Sequence, residues 1–392
     1  MRLAKVALVC FLIVPAKPFL SATAQSGRVA PPEPTPSSLP RTSPKPPADS
    51  SLVLDPRAPK YKLVFGDDEF GGFVKRLNQD GEQGYKLKSA VYGLQKSNRK
   101  NYFARPVALL QLDEAKYEYA SFETTSHWFF GVDGFDAKYA EMAKQGFRLV
   151  DHFRAGGSCE EGGDCELFHV FLLERLKGVA EPRQFRVAGS SPGRRMKLDL
   201  SSEINEGVAV GFYPADLISK SQILLEPVEK EDLPVERPDV QWTNLESKMK
   251  SLAKQGYQLA FVYDEAFVMY RYPGSNTPLQ YVWFTARKGD LERRLKELEP
   301  SGATYRTVYR DDHWSGEKLV FEQKMTSDVS RHGFRVLRFE FQLVEDASGR
   351  HVQIDLTPAG KEALKNFNEL VAQGFVVRSL FGSDHVAVLL ER

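Results

Sequence analysis

The sequence predicts an α+β fold made of serial βαββ repeat units, with helices packed on one face of twisted, mostly antiparallel sheets. The clearest observation is a Gln-Gly-aromatic triplet that recurs at residues 83–85, 145–147, 255–257 and 373–375. Each triplet follows a run with apolar residues three or four positions apart, which is helical spacing. A second observation is a Leu-Leu-Glu signature that closes apolar strands at residues 172–174, 224–226 and 389–391. Together these patterns give the order β, α, β, β in each unit.

The start of the chain has the pattern of a secretory signal peptide. A basic segment precedes a short apolar run from Val6 to Val14, and Ala22-Thr23-Ala24 offers a small-x-small cleavage site. An uncleaved anchor is the weaker alternative, because Pro15 ends the run well short of the roughly 20 residues that span a bilayer. The sequence therefore predicts a signal peptide over residues 1–24, a periplasmic or secreted protein, and no integral membrane segment after cleavage.

A tether is predicted between the signal peptide and the first repeat. Residues 25–58 are rich in Pro, Ser and Thr and contain few large apolar side chains. Such a composition buries too little apolar surface to offset the loss of chain entropy on folding. We therefore expect this segment to be disordered.

The glycine of each triplet is predicted to end a helix. Glycine takes the left-handed conformation that follows a C-cap without a Cβ penalty, and the next aromatic residue can fold back on the last helical turn. Two further units are degenerate and lack the Gln and the aromatic residue beside their glycine. The predicted helix-stop glycines are Gly84, Gly146, Gly207, Gly256, Gly302 and Gly374.

A boundary is predicted in the middle of the repeat array. Residues 227–239 contain three prolines among acidic and basic residues, a composition that neither packs well nor propagates regular structure. We interpret this segment as a linker between units one to three (59–226) and units four to six (240–392), each half with its own core. The alternative is that the units form one continuous structure and the segment is a surface loop.

A family resemblance rests on residues 77–87, which read Leu-Asn-Gln-Asp-Gly-Glu-Gln-Gly-Tyr-Lys-Leu. They resemble the Leu-Asn-x-x-Gly-x-x-Gly-aromatic-x-Leu signature of small bacterial βαββ modules of unknown function. The match is good in unit one and partial in the other units. The resemblance implies the fold alone, because this family has no established catalytic residues to carry over.

Two of the three cysteines, Cys159 and Cys165, lie outside the signal peptide and flank a Glu-Glu-Gly-Gly-Asp loop tip. In an oxidising compartment such a pair usually forms a disulfide bond, which we predict here. The weaker alternative is a zinc site that adds His152 and His169 to the two cysteines. Neither histidine has a familiar zinc-finger spacing.

Motifs for catalysis are weak throughout the sequence. Residues 189–193 form a Gly-x-Ser-x-Gly string, but Pro192 lacks the backbone N–H that the oxyanion hole of a hydrolase requires. Acidic clusters at 66–69 and 311–313 fit turns better than calcium loops. No His-Glu-x-x-His motif and no phosphate-binding glycine loop is present. The sequence therefore predicts no catalytic, cofactor-binding or metal-binding residues.

Charge composition further narrows the function. Lys and Arg number 53 against 52 Asp and Glu, a formal net charge of +1, which provides no global field for nucleic acid. We therefore expect an exported noncatalytic binding or scaffold protein whose partner is a protein, a peptide or a glycan. The alternative is an enzyme of unrecognised class with a cleft between the two halves. Titratable groups converging in a deep pocket would favour that enzyme.

Overall fold

A computed structural model gives the fold. It describes residues 60–392 except 67–69, 97–101, 128–130, 133, 160–164, 190–199, 220, 229–235, 264, 286–289, 310–316, 326–331, 346–350 and 383–385. Several predicted features lie outside the described residues. They are the signal peptide, the tether, residues 190–193 of the Gly-x-Ser-x-Gly string, residues 67–69 of the first acidic cluster and the whole second acidic cluster at 311–313.

The chain forms six consecutive βαββ units. The elements of the first three units are β1 (Tyr61–Phe65), α1 (Phe70–Gly81), β2 (Tyr85–Lys96), β3 (Tyr102–Leu112); β4 (Tyr117–His127), β5 (Gly131–Val132), α2 (Phe135–Lys144), β6 (Arg148–Cys159), β7 (Cys165–Leu176); β8 (Arg186–Gly189), α3 (Ser201–Ala209), β9 (Phe212–Ser219) and β10 (Gln222–Pro227).

The elements of the last three units are β11 (Asp239–Thr243), α4 (Glu246–Lys254), β12 (Gln258–Tyr263), β13 (Ala266–Arg271); β14 (Leu279–Thr285), α5 (Leu291–Leu298), β15 (Thr304–Tyr309), β16 (Lys318–Lys324); β17 (Phe334–Phe339), β18 (Phe341–Glu345), β19 (His351–Leu356), α6 (Pro358–Ala372), β20 (Val376–Gly382) and β21 (Val386–Glu391). The serial α and β order predicted from the triplets is thus observed.

Every unit builds a small antiparallel sheet with the same strand order. The third long strand lies in the middle, the strand before the helix pairs on one side of it, and the strand after the helix pairs on the other, as in β1-β3-β2. Unit two adds β5 to the free side of β4, and unit six adds the separate β18–β19 hairpin between β17 and α6.

The glycine after most helices takes the left-handed conformation. The φ angles are 88° at Gly84, 86° at Gly146, 87° at Gly256, 65° at Gly302 and 95° at Gly374. After α2 and α4, the aromatic residue that follows donates its backbone N–H to a carbonyl of the last helical turn. This bond fixes the angle between each helix and its next strand.

The prediction for Gly207 was wrong. This glycine lies inside α3, and the left-handed residue that ends the helix is Gly211, with a φ of 89°. A Cβ at position 207 would lie 2.6 Å from Cδ1 of Leu225. Gly207 is therefore required for the close approach of the helix to its sheet instead of for a turn.

Each apolar core is shared between two consecutive units. In unit two, Tyr139 of α2 packs with Phe171 of its own sheet and with Ile218 and Leu224 of the sheet of unit three. The other helices pack in the same way between their own sheet and the next one. A helix therefore serves as the layer between two neighbouring sheets.

The array closes on itself. Phe367 and Val371 of α6 pack with Val388 of their own sheet and also with Leu63 and Leu109 of unit one. Alternate residues of β3 consequently face different cores: one face lies against α6 and the other against α1. Helices therefore lie on both faces of this sheet, and the expectation of helices on one face is not confirmed.

The expectation of two halves with separate cores is corrected by the core between units three and four. Ile204 and Leu225 of unit three pack there with Val240, Trp242 and other residues of unit four. The segment that joins these units, of which 229–235 lie outside the described residues, therefore connects two parts of one continuous core.

The strands that follow the helices lie at the centre of the ring, and we call them the inner strands. Helices hold the sheets apart elsewhere, whereas β2 lies directly beside β6 and β20, and β12 lies beside β9 and β15. Each inner strand carries a β-bulge close to its start, for example between Leu87 and Ser89 and between Leu259 and Phe261. Bulges increase local twist, which suits sheets that converge on an axis.

Candidate functional site

One end of the ring carries the hairpin of every unit, and we call this end the hairpin face. In unit six the strand before the helix ends opposite the start of the third strand, with Phe339 opposite Val386. In unit one Phe65 lies opposite Val107, and β3 begins five residues earlier, at Tyr102. The inner strand of each unit ends at the same level, where it turns into the third strand. Insertions between these elements therefore all emerge at this face.

Units one and two extend far beyond the ring at the hairpin face. Strands β2 and β3 have 12 and 11 residues and strands β6 and β7 have 12 each, whereas β12 and β13 of unit four have six each. A strand rises about 3.3 Å per residue, so six extra residues add about 20 Å to the ladder. Pairing persists to the strand ends, at Lys96 opposite Tyr102 and Cys159 opposite Cys165.

Unit six contributes the third addition to this face. Its hairpin β18–β19 packs on unit one, where the ring centroid of Phe341 lies 5.7 Å from that of Phe65. Leu356, at the end of β19, belongs to the same core as Phe341. Units six, one and two are neighbours in the closed ring, so the three additions lie side by side. The described hairpin strands of units three, four and five have only six to eight residues.

The two cysteines lie at the tip of the unit-two hairpin. Cys159 is the direct cross-strand partner of Cys165. Opposed residues in an antiparallel pair have Cα atoms about 4.5–5.5 Å apart, which falls within the range that disulfides span. The side chains of both cysteines lie outside the described residues, so the disulfide stays a prediction.

Two histidines lie at the base of the same hairpin and are buried. The His152 imidazole has its Nδ1 3.2 Å from Oδ2 of Asp216 in unit three, and its ring stacks on Phe171 at 5.4 Å between centroids. Tyr263 of unit four reaches across to both His152 and His169, at centroid distances of 5.6 and 6.5 Å. These rings fill the space between units two and four above the short hairpin of unit three.

The alternative zinc site is not assembled by this arrangement. His169 and Cys165 are four residues apart on β7, which is about 13 Å of extended strand. A zinc ion holds its ligands within about 2.0–2.3 Å, so the histidines and the cysteines do not share one ion. Within the described part of the chain, no group of three or more His, Cys, Asp or Glu side chains could hold a metal ion.

Polar contacts at the centre tie units one, two and three together under the hairpin face. Asp151 of unit two accepts hydrogen bonds from the backbone N–H of Ala90 at 2.6 Å and from the Ser89 hydroxyl at 3.3 Å. In unit three, Gln222 accepts a bond from the backbone N–H of Val132 at 2.8 Å. These contacts lie at the inner strands and at β5, and they fix the spacing of the units from which the long hairpins rise.

Buried tyrosines satisfy the backbone at the bulges. The hydroxyl of Tyr119 accepts the N–H of Leu87 at 2.8 Å, and that of Tyr281 accepts the N–H of Leu259 at 2.7 Å. Burial raises the pKa of both tyrosines well above the ordinary value, and the carboxylate of Glu322 adds to the rise at Tyr281. Both side chains therefore remain neutral hydrogen-bonding groups and offer no general base.

A charged group is also buried between units one and two. Burial lowers the pKa of Lys86, while the nearby Glu174 carboxylate opposes that shift. Glu174 is 1% exposed, and its Oε1 accepts a 2.8 Å bond from Nη2 of Arg148. Arg148 and Glu174 thus form an ion pair within unit two, and the same carboxylate attracts Lys86 of unit one, which favours cohesion of the two units.

Asparagines on two helices are structural residues that the sequence analysis did not identify. Asn78 and Asn205 each bond to the backbone of a strand in the next unit. A signal was present, since each asparagine directly follows an apolar helix residue, in Leu77-Asn78 and Ile204-Asn205. The partner strand, however, lies 35 to 41 residues away, so the sequence could not reveal the contact.

Comparisons with known proteins give no assignment. A scan against protein-family models finds no match, and a search of curated proteins finds none either. Of the helices described, none is long and apolar enough to cross a membrane.

Proposed function

We propose that this chain is an exported noncatalytic binding or scaffold protein, which holds its partner on the hairpin face of units six, one and two. The observation that supports the proposal is the grouping of the three additions on adjacent units at one end of the ring. Unit four shows that strands of six residues suffice to build a unit. The longer ladders therefore serve a purpose beyond ring assembly.

An extended peptide segment of a protein partner fits this surface better than a glycan. Strand β1 pairs with β3 over Val107 to Gln111, whereas β2 pairs with β3 as far as Tyr102. In the described pairings, the part of β3 from Tyr102 to Arg105 therefore has a partner strand on one side. Its other edge presents backbone donors and acceptors that can accept an added strand.

The signal peptide and the likeness to small bacterial βαββ modules remain part of the proposal. Export would place the two cysteines of unit two in an oxidising compartment, where a disulfide would brace the tip of the longest ladder. The enzyme alternative places a cleft between the halves. Because units three and four share the core around Trp242, we propose the binding role in preference to this alternative.

Shortening the hairpins tests this proposal. In one variant an Asn-Gly turn replaces residues 93–105, and in another it replaces residues 155–168, so that the remaining strand pairs keep their register. Wild-type and variant proteins are immobilised and exposed to the exported protein fraction, and bound proteins are quantified by mass spectrometry. We expect a specific set of proteins to bind the wild type and to be depleted at least about tenfold from both variants.

A matched control shortens the same connection in unit five, which carries none of the three additions. Replacement of residues 310–316 by Asn-Gly shortens the unit-five connection at the same face and keeps Glu317, whose carboxylate accepts the backbone N–H of Gly382 in unit six. This variant should bind the same proteins as the wild type. Equal loss from all three variants, or equal binding by all of them, would contradict a partner site on units one and two.

A further inference from the structure

Two asparagines clamp the outer edge of the next sheet in the ring. Asn78 donates from Nδ2 to the carbonyl of Tyr119 at 2.9 Å and accepts the Tyr119 N–H at Oδ1 at 2.8 Å. Asn205 makes the same pair of bonds to Val240, at 2.7 and 3.0 Å. Each amide thus occupies the place of a neighbouring strand on an otherwise open sheet edge.

Asn368 of α6 is the third member of this set. Like the other two, it donates from Nδ2 to the carbonyl four residues earlier, that of Leu364, at 3.0 Å. Asn78 does so to Val74 at 3.0 Å. The Oδ1 atom of Asn368 is buried, yet within the described part of the chain it accepts no hydrogen bond. The side chain is oriented as a clamp that is not engaged.

The strand that this clamp would bind is β1. Tyr61 lies opposite Gln111 at the same step of the ladder at which Tyr119 lies opposite Glu174. Lys60 and Gly66 direct their backbone groups to β3, so the backbone groups of Tyr61 point to the open edge. Tyr61 already packs edge-on against Phe367, the residue before Asn368, with centroids 5.3 Å apart.

We propose that the ring opens at the seam between units six and one, where Asn368 is an open latch that does not hold the backbone of Tyr61. Consecutive units are joined both by packing and by a short connecting segment. Units six and one are far apart in the chain, so packing alone joins them. The hairpin β18–β19 lies on one side of the seam and β2–β3 on the other. If the proposed function holds, opening of the seam therefore changes the width of the binding surface.

Hydrogen exchange of the full-length protein tests the latch without any ligand. Single-residue exchange rates are measured by mass spectrometry for the backbone amides of Tyr61, Tyr119 and Val240, which occupy the same place in units one, two and four. We expect the Tyr61 amide to exchange at least about tenfold faster than the other two, because its edge is not clamped and the seam opens locally. Equal protection of all three amides would overturn the proposal.

Asparagine variants provide the second measurement. Asn205→Ala should speed exchange at Val240 at least about tenfold, whereas Asn368→Ala should leave exchange at Tyr61 unchanged. Asn78→Ala, read at Tyr119, replaces Asn205→Ala if that variant does not fold. Faster exchange at Tyr61 in Asn368→Ala would show that the clamp is engaged in solution and would refute an open latch. These rates are independent of partner capture, so the latch and the proposed function can fail separately.

Discussion

Two contacts between units invite comparison: the junction of units three and four, and the seam of units six and one. The junction follows a Pro-rich charged segment, yet Trp242 is buried there and its backbone N–H bonds to the Ser201 hydroxyl at 2.9 Å. Asn205 clamps the adjacent strand. At the seam the packing is also apolar, but within the described part of the chain the equivalent Asn368 makes no hydrogen bond to the facing strand.

The comparison teaches that chain composition and cohesion are separate properties. The prolines and charged residues of 227–239 determine the properties of the connecting segment, not the strength of the contact between the two units. Cohesion depends instead on the outer face of each helix, which packs on the next sheet wherever the connecting chain runs. We therefore expect the seam to be the weaker of the two contacts, although no segment of unusual composition indicates its position in the sequence.

The largest effect is expected for removal of the central side chain of the junction. Trp242→Ala should lower the free energy of unfolding by about 3–5 kcal/mol, because it leaves a large cavity in the core shared by units three and four. Denaturant unfolding followed by circular dichroism measures the loss. Leu245→Ala, at a side chain that is 58% exposed, is the control and should change stability by less than about 0.5 kcal/mol.

The shape of that unfolding curve also decides between one ring and two halves. Because both halves contribute to the Trp242 core, the variant should still unfold in a single transition at lower denaturant. Two separate transitions, one of them at the wild-type midpoint, would show that the halves fold independently and would restore the two-domain interpretation.

Much of the fold was predictable because it depends on patterns of residues that are close together in the sequence. The triplets around Gly146 and Gly256 predict a helix stop through backbone conformation alone, and both glycines have positive φ. Gly207 was wrongly predicted to end a helix, because in a sequence a glycine required for helix packing cannot be distinguished from a glycine required for a turn. Ring closure was not predictable, since contact of Leu63 with Phe367 joins residues at opposite ends of the repeat array.

The candidate surface was less predictable than the fold. The extra length of the strands in units one and two was not predicted, and their adjacency to the inserted hairpin of unit six depends on ring closure. The cysteine pair could be placed on one hairpin from its spacing. By contrast, the approach of Tyr263 to His152 requires two units to meet across a third.

The second prediction measures the clamp on each side of the comparison. Asn205→Ala should lower the free energy of unfolding by about 1–3 kcal/mol, since it leaves the N–H and the carbonyl of Val240 without partners in a packed interface. Asn368→Ala should cost less than about 0.5 kcal/mol, because no strand bond is lost. Equal losses in denaturant unfolding would remove the distinction between junction and seam.

The third prediction compares the glycines that end the helices at these two contacts. Both have positive φ, but a Cβ at Gly256 would lie 2.7 Å from the carbonyl oxygen of Ser275, whereas one at Gly374 would meet no atom within 4 Å. Gly374→Ala should therefore cost about 1 kcal/mol from conformational strain, and Gly256→Ala about 2 kcal/mol or more. Thermal unfolding of both variants gives the order, and a larger loss in Gly374→Ala would contradict it.

The smallest effect concerns the residue that fixes the chain as it enters unit four. The Tyr257 hydroxyl donates a hydrogen bond to the carboxylate of Asp239, which is the last residue of the charged segment and the first residue of β11. Tyr257→Phe should lower the free energy of unfolding by about 0.5–1.5 kcal/mol at neutral pH, which denaturant titration can measure.

The Tyr257–Asp239 hydrogen bond also makes the difference in stability between the wild type and Tyr257→Phe depend on pH. Burial, followed by the hydrogen bond to Asp239, raises the pKa of Tyr257 from its ordinary 10.0 to about 12 in the folded chain. A folded-state pKa above the unfolded value means that this stabilisation is fully present below about pH 10 and is lost as the pH rises toward 12. The wild type should therefore lose its advantage over Tyr257→Phe between pH 10 and 12. If the difference in stability stays constant across this interval, the Tyr257 hydroxyl does not stabilise the segment by donating a hydrogen bond to Asp239.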